Sequence, residues 1–273
     1  MNKKPVMFLV IFTQILCLGS LSLAQSPYRI SWGKDAPLFG SGVVFAVVAS
    51  SMNQNIVPLT VAEINSLSRN DVNWFDRKAT YHYSTDSGDL SNIALGVCLT
   101  LPATLFISKR LHNDFITVGL MYAEVLLFSN FVPSVVKSAA PRIRPFVYNP
   151  EAPLEAKTTT GAKKSFFSSH ATNAFAAAVF FSTVYGDYFP DSKWRPYLWA
   201  GSLAAASFVG YLRYDAGKHF PTDVLVGAGV GSAIGFLWPY LHRVHTQDGL
   251  SLVPIYTPRQ IRLGLYYSFS NPH

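Results

Sequence analysis

Three cationic segments decide how this chain is read: KSAAPRIRP (Lys137–Pro145), SSH (Ser168–His170) and RYDAGKHFPTD (Arg213–Asp223). Each segment lies where one long apolar run ends or the next begins. If the runs are consecutive membrane-crossing helices, the ends of the third and fifth helices and the starts of the fourth and sixth lie on one face. The chain order therefore predicts one composite site at one end of a helical bundle.

Apolar runs recur along the chain and predict an all-α, membrane-embedded bundle of about six helices. The weakest run is the first one, which we expect not to cross the membrane completely. The runs are Pro37–Ser51, Leu90–Ile107, Phe115–Val136, Ala171–Tyr185, Tyr197–Leu212 and Val224–Leu241. Glycines recur every four residues in the last run, at Gly227, Gly231 and Gly235. We interpret this stripe as a surface for close helix packing.

Composition places the chain in a membrane independently of any motif. Of its 273 residues, 49% are hydrophobic and only 14% are charged, whereas about a quarter of residues are charged in soluble domains. The net charge of +7 favours attraction to membrane lipids and to phosphate groups. The cations flank apolar runs and form no basic arm, which argues against a nucleic-acid partner. No obligate protein partner is evident.

The residue types in the three segments suit chemistry on a phosphoryl group. Negative charge spreads over three equatorial oxygens during phosphoryl transfer, and Lys137, Arg144 and Arg213 can stabilise it. We assign nucleophilic attack to His219 and proton donation to the leaving oxygen to His170. Asp223 follows His219 by four residues, so on a helix its carboxylate could orient the imidazole.

The serines of the second segment complete the predicted site. Ser168 precedes an apolar run, and its hydroxyl and the backbone amides of a helix N-terminus can bind phosphate. The candidate set is His219, His170 and Asp223 for catalysis, with Lys137, Arg144, Ser168, Ser169 and Arg213 for phosphate binding. Taken one at a time, these residues could be juxtamembrane cations, an i,i+4 pair and a helix cap. Their joint occurrence in this order favours the site.

The motifs resemble those of the type-2 phosphatidate phosphatases, a family that shares its fold and site with bacterial acid phosphatases and vanadium haloperoxidases. The family pattern is Lys-x6-Arg-Pro, Pro-Ser-Gly-His and Ser-Arg-x5-His-x3-Asp, and this chain keeps every charged and imidazole member at that spacing. It departs at Phe167, Ser169 and Leu212, where proline, glycine and serine are usual. The resemblance implies a phosphatase that needs no metal or other cofactor and that forms a phosphohistidine intermediate.

The chain divides into four parts. Residues 1–25 predict a signal peptide or signal anchor, and residues 26–89 hold the first apolar helix and an interfacial segment. Residues 90–242 resemble the catalytic domain of the family, and residues 243–273 form a C-terminal tail. The polar, aromatic-rich stretch 57–89 predicts short helices at the interface, and the alternating pattern of 250–269 predicts a short β-hairpin.

Other ionisable residues are less informative. Glu124, inside an apolar run, could line the site or serve as a buried strut. The remaining histidines, His82, His112, His242 and His245, show no metal-ligand spacing, and we interpret them as structural or exposed. Residues 149–164, rich in proline and threonine, predict a lid or specificity loop.

Function and location follow as expectations. The predicted substrate is a membrane phosphomonoester or pyrophosphate, such as phosphatidate, phosphatidylglycerol phosphate, undecaprenyl pyrophosphate or the phosphate of lipid A. Two alternatives stay open: a non-catalytic protein that binds lipid phosphates, and vanadate-dependent halide oxidation. Basic residues in the short loops at the other end, 108–114 and 186–196, favour a site that faces the periplasm of a bacterial inner membrane. A cleaved signal followed by six full crossings would reverse that orientation.

Overall fold

The computed structural model of this protein describes residues 26–53, 56–244, 249–257 and 260–268. The predicted signal peptide or anchor, residues 1–25, lies outside the described residues. Six long helices account for most of the rest. Five of them contain one predicted apolar run each, and the run Leu90–Ile107 is divided between the second helix and the 3-10 helix that follows it. The six long helices are numbered α1 (Trp32–Asn53), α2 (Thr85–Thr100), α3 (Phe115–Ala139), α4 (Ser169–Tyr188), α5 (Arg195–Asp215) and α6 (Pro221–His242).

Four of these helical segments are long and apolar enough to cross a membrane: Trp32–Met52, Thr85–Ile107, Phe115–Ala139 and Pro221–His242. The first run, which we expect not to cross completely, lies in a helix that is long enough to do so, because α1 begins five residues before Pro37 and has 22 residues. At 1.5 Å per residue it is about 33 Å long, enough for a hydrocarbon core of about 30 Å. Within the described residues, α4 and α5 do not meet the same combination of length and hydropathy.

Short elements connect the long helices. The stretch between α1 and α2 forms the short helices that its sequence predicts, and α2 continues directly into a 3-10 helix. The short α-helices are Val61–Ser66, Trp74–Arg77, Lys109–His112 and Leu154–Lys157, and the 3-10 helices are Arg69–Asp71, Lys78–Tyr81, Leu101–Ile107, Pro145–Tyr148 and Thr160–Lys163. After α6, β1 (Gly249–Thr257) and β2 (Gln260–Ser268) pair in antiparallel register.

Helix α4 lies at the centre of the bundle and packs against α2, α3, α5 and α6. Its residues Ala174, Ala176, Ala177 and Ala178 are fully buried, because small side chains let the neighbouring helices approach closely. The largest hydrophobic cluster joins α3, α4 and α6. It contains Val118, Met121, Val125, Phe128, Phe180, Val184, Ile234 and Trp238.

The glycine stripe of α6 faces α4 directly. A Cβ atom would lie 2.6 Å from the carbonyl oxygen of Ser168 if built on Gly227, 2.2 Å from that of Thr172 if built on Gly231, and 2.4 Å from that of Ala176 if built on Gly235. Backbone atoms cannot move away as side chains can, so only glycine allows this approach. The prediction that the stripe serves packing is confirmed. The contact fixes the N-terminus of α4 beside that of α6, where the site lies.

Candidate active site

The third cationic segment turns sharply between α5 and α6. Gly217 has a φ of +65°, and a Cβ there would lie 2.2 Å from the carbonyl oxygen of His82. Its own carbonyl oxygen accepts a 2.9 Å hydrogen bond from the backbone N–H of Phe146, just after the first cationic segment. The turn therefore joins the first and third segments and presents His219 to the space between them.

His219 is buried and oriented by a backbone carbonyl. Its Nδ1 lies 2.7 Å from the carbonyl oxygen of Ser165, and the residue is 1% exposed. A carbonyl oxygen can only accept, so Nδ1 carries the proton of the neutral ring and Nε2 keeps a free electron pair. Nε2 is thus the ring atom available for nucleophilic attack.

Asp223 holds the segments together without bonding directly to the imidazole. Its Oδ2 lies 3.8 Å from His219 Nδ1, which is too long for a hydrogen bond. Oδ2 instead accepts bonds from Ser165 Oγ at 2.5 Å and the Phe220 backbone N–H at 2.9 Å. The expectation that Asp223 holds the ring nitrogen is therefore corrected: Asp223 binds the hydroxyl of Ser165, whose carbonyl orients the ring.

Arg142 connects this centre to the interfacial segment. Its Nη1 donates to Asp223 Oδ1 at 2.6 Å and its Nη2 to Asp76 Oδ2 at 2.8 Å, and both carboxylate side chains are fully buried. Asp76 also accepts bonds from the backbone N–H and the hydroxyl of Thr222. Hydrogen bonds from Thr222 and Arg142 outweigh the effect of burial and lower the pKa of Asp76. This network fixes the start of α6.

The three predicted phosphate-binding cations have no such carboxylate partners among the described contacts. Arg144 Nε and Arg213 Nε are buried without a hydrogen-bond partner. Arg213 Nη1 donates to Ser91 Oγ at 3.0 Å, and Lys137 Nζ donates to Ser169 Oγ at 2.7 Å. Both of these partners are neutral hydroxyls. Arg213 is buried, and Lys137 and Arg144 are half-buried. Cations withdrawn from water in this way and held only by neutral groups are incompletely compensated, as an anion-binding site requires.

The second segment starts α4 beside these cations. Ser168 is the N-cap, and its Oγ accepts a 3.3 Å hydrogen bond from the backbone N–H of Ala171. The Ser168 backbone N–H in turn donates to the carbonyl oxygen of Asp223 at 3.0 Å. The Ser168 side chain is therefore committed to the helix cap. Ser169, one residue on, lines the cavity described below.

His170 also lies in the first turn of α4. Its Nε2 is 2.8 Å from Asn92 Oδ1 on α2. Burial, followed by repulsion from Arg213, Lys137 and Arg144, lowers the pKa of His170 to about 3. Burial and repulsion from Arg144, Lys137 and Arg213 likewise hold the pKa of His219 well below its usual value. Because the same three cations act on both rings, the structure brings the five side chains together.

A cavity of about 380 Å³ opens beside this group. Burial lowers the pKa of Arg144, at its wall, to about 10. The lining combines cations and hydroxyls with apolar and small side chains from α1 and α3. It comprises Ala46, Ala49, Ser50, Phe131, Ser134, Lys137, Ser138, Arg144, Lys164 and Ser169. A charged headgroup with an apolar tail would fit such a mixed surface.

All eight predicted site residues occupy this end of the bundle, whereas Glu124 does not. Glu124 lies thirteen residues before Lys137 on α3, about 20 Å along the helix axis, and it contacts His242 at the end of α6. Sequence reasoning also missed three contributors: Asp76, Ser165 and Asn92. Each acts through a tertiary contact with a distant residue, and none belongs to a recognisable motif.

The sequence comparisons agree with the geometry. Residues 118–247 match the sequence model of the PAP2 superfamily. The chain is 30% identical to a lipid A 4'-phosphatase of Porphyromonas gingivalis over 134 residues, 48% of this chain and 53% of the relative. It is also 30% identical to an undecaprenyl-diphosphatase of Sulfolobus acidocaldarius over 142 residues, 52% of this chain and 61% of the relative. The chain thus spans somewhat more than half the length of these curated relatives.

One solved structure is also similar. The crystal structure of a transmembrane PAP2-type phosphatidylglycerolphosphate phosphatase from Bacillus subtilis aligns with 77% of this chain and 96% of its own, at 21% identity and a TM-score of 0.46. The matched family region contains all three cationic segments. The chain therefore resembles the PAP2 superfamily through residues 118–247.

Proposed function

We propose that this protein is a membrane phosphatase that hydrolyses a lipid-linked phosphomonoester or pyrophosphate through a phosphohistidine intermediate, without a metal ion. One observation carries the proposal. Lys137, Arg144 and Arg213 all lower the pKa of the buried His219 imidazole, whose Nδ1 faces a carbonyl oxygen, and within the described residues none of the three has a carboxylate hydrogen-bond partner. These cations can stabilise the transferring phosphoryl group electrostatically.

The first step uses the fixed tautomer of His219. Its Nε2 attacks phosphorus, so that a P–N bond forms as the bond to the leaving oxygen breaks. The positive charge that develops on the ring is shared with Nδ1–H, which donates to the Ser165 carbonyl oxygen. Asp223, bound to the hydroxyl of the same serine, lies 3.8 Å from Nδ1 and stabilises that charge electrostatically.

The second histidine moves the proton. Protonated His170 donates to the departing alkoxide, which leaves as the lipid alcohol, or as the lipid monophosphate if the substrate is a pyrophosphate. His170 then accepts a proton from water as the water oxygen attacks phosphorus and the P–N bond breaks. His170 passes this proton to the departing inorganic phosphate, and both histidines return to their neutral forms.

The names of the relatives and the cavity support a lipid substrate. The matched relatives are named as phosphatases of lipid A and of undecaprenyl diphosphate. In this chain Ala46, Ala49 and Phe131 line the cavity that also contains Lys137 and Arg144. An apolar chain could thus lie against α1 and α3 while its phosphate contacts the cations.

The location of the site is part of the proposal. Four helices suited to crossing a membrane support a membrane protein with its site near one surface. The basic loops at the opposite end, 108–114 and 186–196, support a periplasmic site in a bacterial inner membrane.

A second candidate, a non-catalytic lipid-phosphate binder, is favoured by one contact. Ser169, which stands where the family has glycine, accepts the hydrogen bond of Lys137 at 2.7 Å. This contact occupies a donor that phosphate would need. Phosphate binding without turnover would follow if the serine kept Lys137 away from the transition state.

The test is the release of inorganic phosphate by detergent-purified protein in EDTA, from phosphatidate, a polyprenyl pyrophosphate and lipid A. We expect wild-type protein to release phosphate from at least one lipid. His219→Ala should lower this rate by at least about 10⁴-fold, because the nucleophile is lost, while its thermal unfolding stays close to that of the wild type. Lipid binding with no release by the wild type would support the binder and overturn the enzyme.

A further inference from the structure

A second group of ionisable side chains lies at the other end of the bundle. Asp35 of α1, Glu124 of α3 and His242 of α6 are all buried, and one ligand atom of each lies within 4.8 Å of the others. Asp223 and His242 are nineteen residues apart on α6, about 28 Å along the axis. The group is therefore separate from the phosphate site, and the proposed phosphatase chemistry does not use it.

The two ring nitrogens of His242 lie between a backbone carbonyl and two carboxylates. Nδ1 lies 2.7 Å from the carbonyl oxygen of Trp238, so Nδ1 carries a proton. Nε2 lies 2.5 Å from Asp35 Oδ1 and 3.4 Å from Glu124 Oε2. Without a metal, Nε2 must also carry a proton to hydrogen-bond to Asp35; with a metal, the neutral ring would present the Nε2 electron pair to it. A histidine fixed through one nitrogen by a backbone carbonyl is the usual arrangement for metal ligation through the other.

Glu124 supplies an independent indication of a missing partner. Its side chain is 2% exposed, and Oε2 has no hydrogen-bond partner among the described residues. The atom is directed at His242 Nε2, inside the group. When both carboxylates are ionised, a protonated imidazole balances only one of them and leaves a second negative charge buried. A divalent cation would balance both while the imidazole stays neutral.

We propose that Asp35, Glu124 and His242 bind a divalent transition-metal cation such as Zn²⁺. Zinc accepts this mixture of one imidazole and two carboxylates at about 2.0–2.2 Å, which places tetrahedral ligands about 3.4 Å apart. The separation of His242 Nε2 and Glu124 Oε2 already has this value. Asp35 Oδ1 must withdraw by less than about 1 Å, while Asp35 Oδ2 accepts from the backbone N–H of Ser31.

The fourth ligand position opens towards solvent. Asp35 and His242 line a cavity of about 640 Å³ together with Arg29, Ser31 and Arg243, so water can complete the coordination shell. A nitrogen ligand favours zinc and its neighbours over Mg²⁺ and Ca²⁺, which prefer oxygen alone.

The metal would fasten α1 to the rest of the bundle. Among the other long helices, α1 makes extensive contact only with α3, and the three ligands would join α1, α3 and α6. The far end of α1 supplies Ala46, Ala49 and Ser50 to the wall of the phosphate cavity. The ion would thus stabilise the helix that forms one side of the lipid-phosphate site.

The experiment measures zinc bound to the full chain in detergent, after chelator treatment and equilibrium dialysis against Zn²⁺. Glu124→Gln removes one ligand, and Glu155→Gln, at an exposed position, is its matched control. We expect the wild type and the control to bind one Zn²⁺ per chain. The dissociation constant for Zn²⁺ should be at least about 10-fold higher in Glu124→Gln. Zinc should raise the Tm of the wild type by a few degrees but not that of Glu124→Gln. Equal binding by all three proteins would overturn the proposal.

A spectroscopic measurement on wild-type protein keeps the proposal testable if Glu124→Gln does not fold. Co²⁺ should give a visible absorption band that Zn²⁺ abolishes, and the absence of a band would overturn the site. Phosphate release is measured in EDTA and again after Zn²⁺ is restored. Release in neither condition overturns the enzyme whatever the zinc measurement shows, and release without zinc binding overturns only the metal site.

Discussion

Arg142 and Arg144 are two residues apart, yet they belong to different halves of the site. Arg142 is ion-paired to two buried carboxylates, whereas Arg144 has a buried Nε without a partner and lines the cavity. We call the first group, Arg142, Asp76, Asp223 and Ser165, the paired half, and the second, Arg144, Arg213, Lys137 and the two histidines, the open half. We therefore propose that Arg144 binds phosphate and that Arg142 does not, because carboxylates already balance the charge of Arg142.

The comparison predicts that substitutions in one half mainly lower activity and that substitutions in the other half mainly lower stability. A group in the open half should support turnover and contribute little to stability, because its interactions form only with substrate. A group in the paired half should support stability first, because its charges are already compensated. The predictions below test this division.

After the loss of the nucleophile in His219→Ala, the largest effect is expected at His170. His170→Ala removes the proton donor, so hydrolysis of alkyl phosphates should fall by about 10²–10⁴-fold. A substrate with a good leaving group, such as p-nitrophenyl phosphate, should lose much less, because its leaving oxygen needs no proton. Steady-state rates on both substrates test this, and equal losses would remove His170 from the acid role.

The two arginines provide a matched pair of substitutions. Arg144→Lys should lower kcat/KM by about 10²-fold, because a point charge cannot replace a bidentate fork, and should leave the Tm nearly unchanged. Arg142→Lys should lower the free energy of unfolding by about 2 kcal/mol through lost hydrogen bonds to charged groups, with a smaller loss of activity. The measurements are kinetics and thermal unfolding of both variants.

Either of two results would contradict the division of the site into an open and a paired half. If Arg144→Lys kept near-normal activity, Arg144 would be only a surface cation. If Arg142→Lys kept the wild-type Tm, the ion pairs to Asp76 and Asp223 would contribute no stability.

The open half could be predicted from sequence more completely than the paired half. Lys137, Arg144, His170, Arg213 and His219 lie at the spacing of the family motif, so the residues that we propose to contact substrate could be identified together. The helix order then places them at one end. The paired half depends on tertiary contacts, such as that of Asp76 with Thr222, 146 positions later. No local pattern encodes such a contact.

The same limit explains what sequence reasoning missed elsewhere. His242 has no metal-ligand spacing because its neighbours Asp35 and Glu124 belong to other helices. Asp223 was expected to hold the imidazole because i,i+4 positions share a helix face. His219, however, precedes α6, which begins at Pro221, so the helical geometry does not apply to this pair.

The pH dependence of the reaction reports the protonation of the open half. Burial and the three cations keep the pKa of His219 well below 6.5, so the nucleophile is neutral at pH 7 and stays neutral under mildly acid conditions. The pKa of His170 is about 3 in the free site, so its catalytic proton must arrive with the substrate. For a phosphomonoester, whose second pKa is about 6, kcat/KM should fall about 10-fold per pH unit above that value.

The profile of kcat/KM from pH 4 to 9 tests this assignment. We expect no loss attributable to His219 between pH 6.5 and pH 5. An acid limb centred near pH 6.5 on a substrate with a good leaving group, retained in His170→Ala, would show that His219 titrates normally and that the three cations do not surround it.

The smallest effect is expected at Ser169, where the open half carries a partner that the family pattern lacks. The Ser169 hydroxyl accepts the hydrogen bond of Lys137, so its removal should free the ammonium for phosphate. Ser169→Gly and Ser169→Ala should both lower KM by about 2- to 10-fold, the range expected from one ordinary hydrogen bond. Because alanine keeps the Cβ, a lower KM in Ser169→Gly alone would assign the effect to crowding of the backbone amide. An unchanged KM in both variants would show that Lys137 reaches the substrate while still bound to the serine.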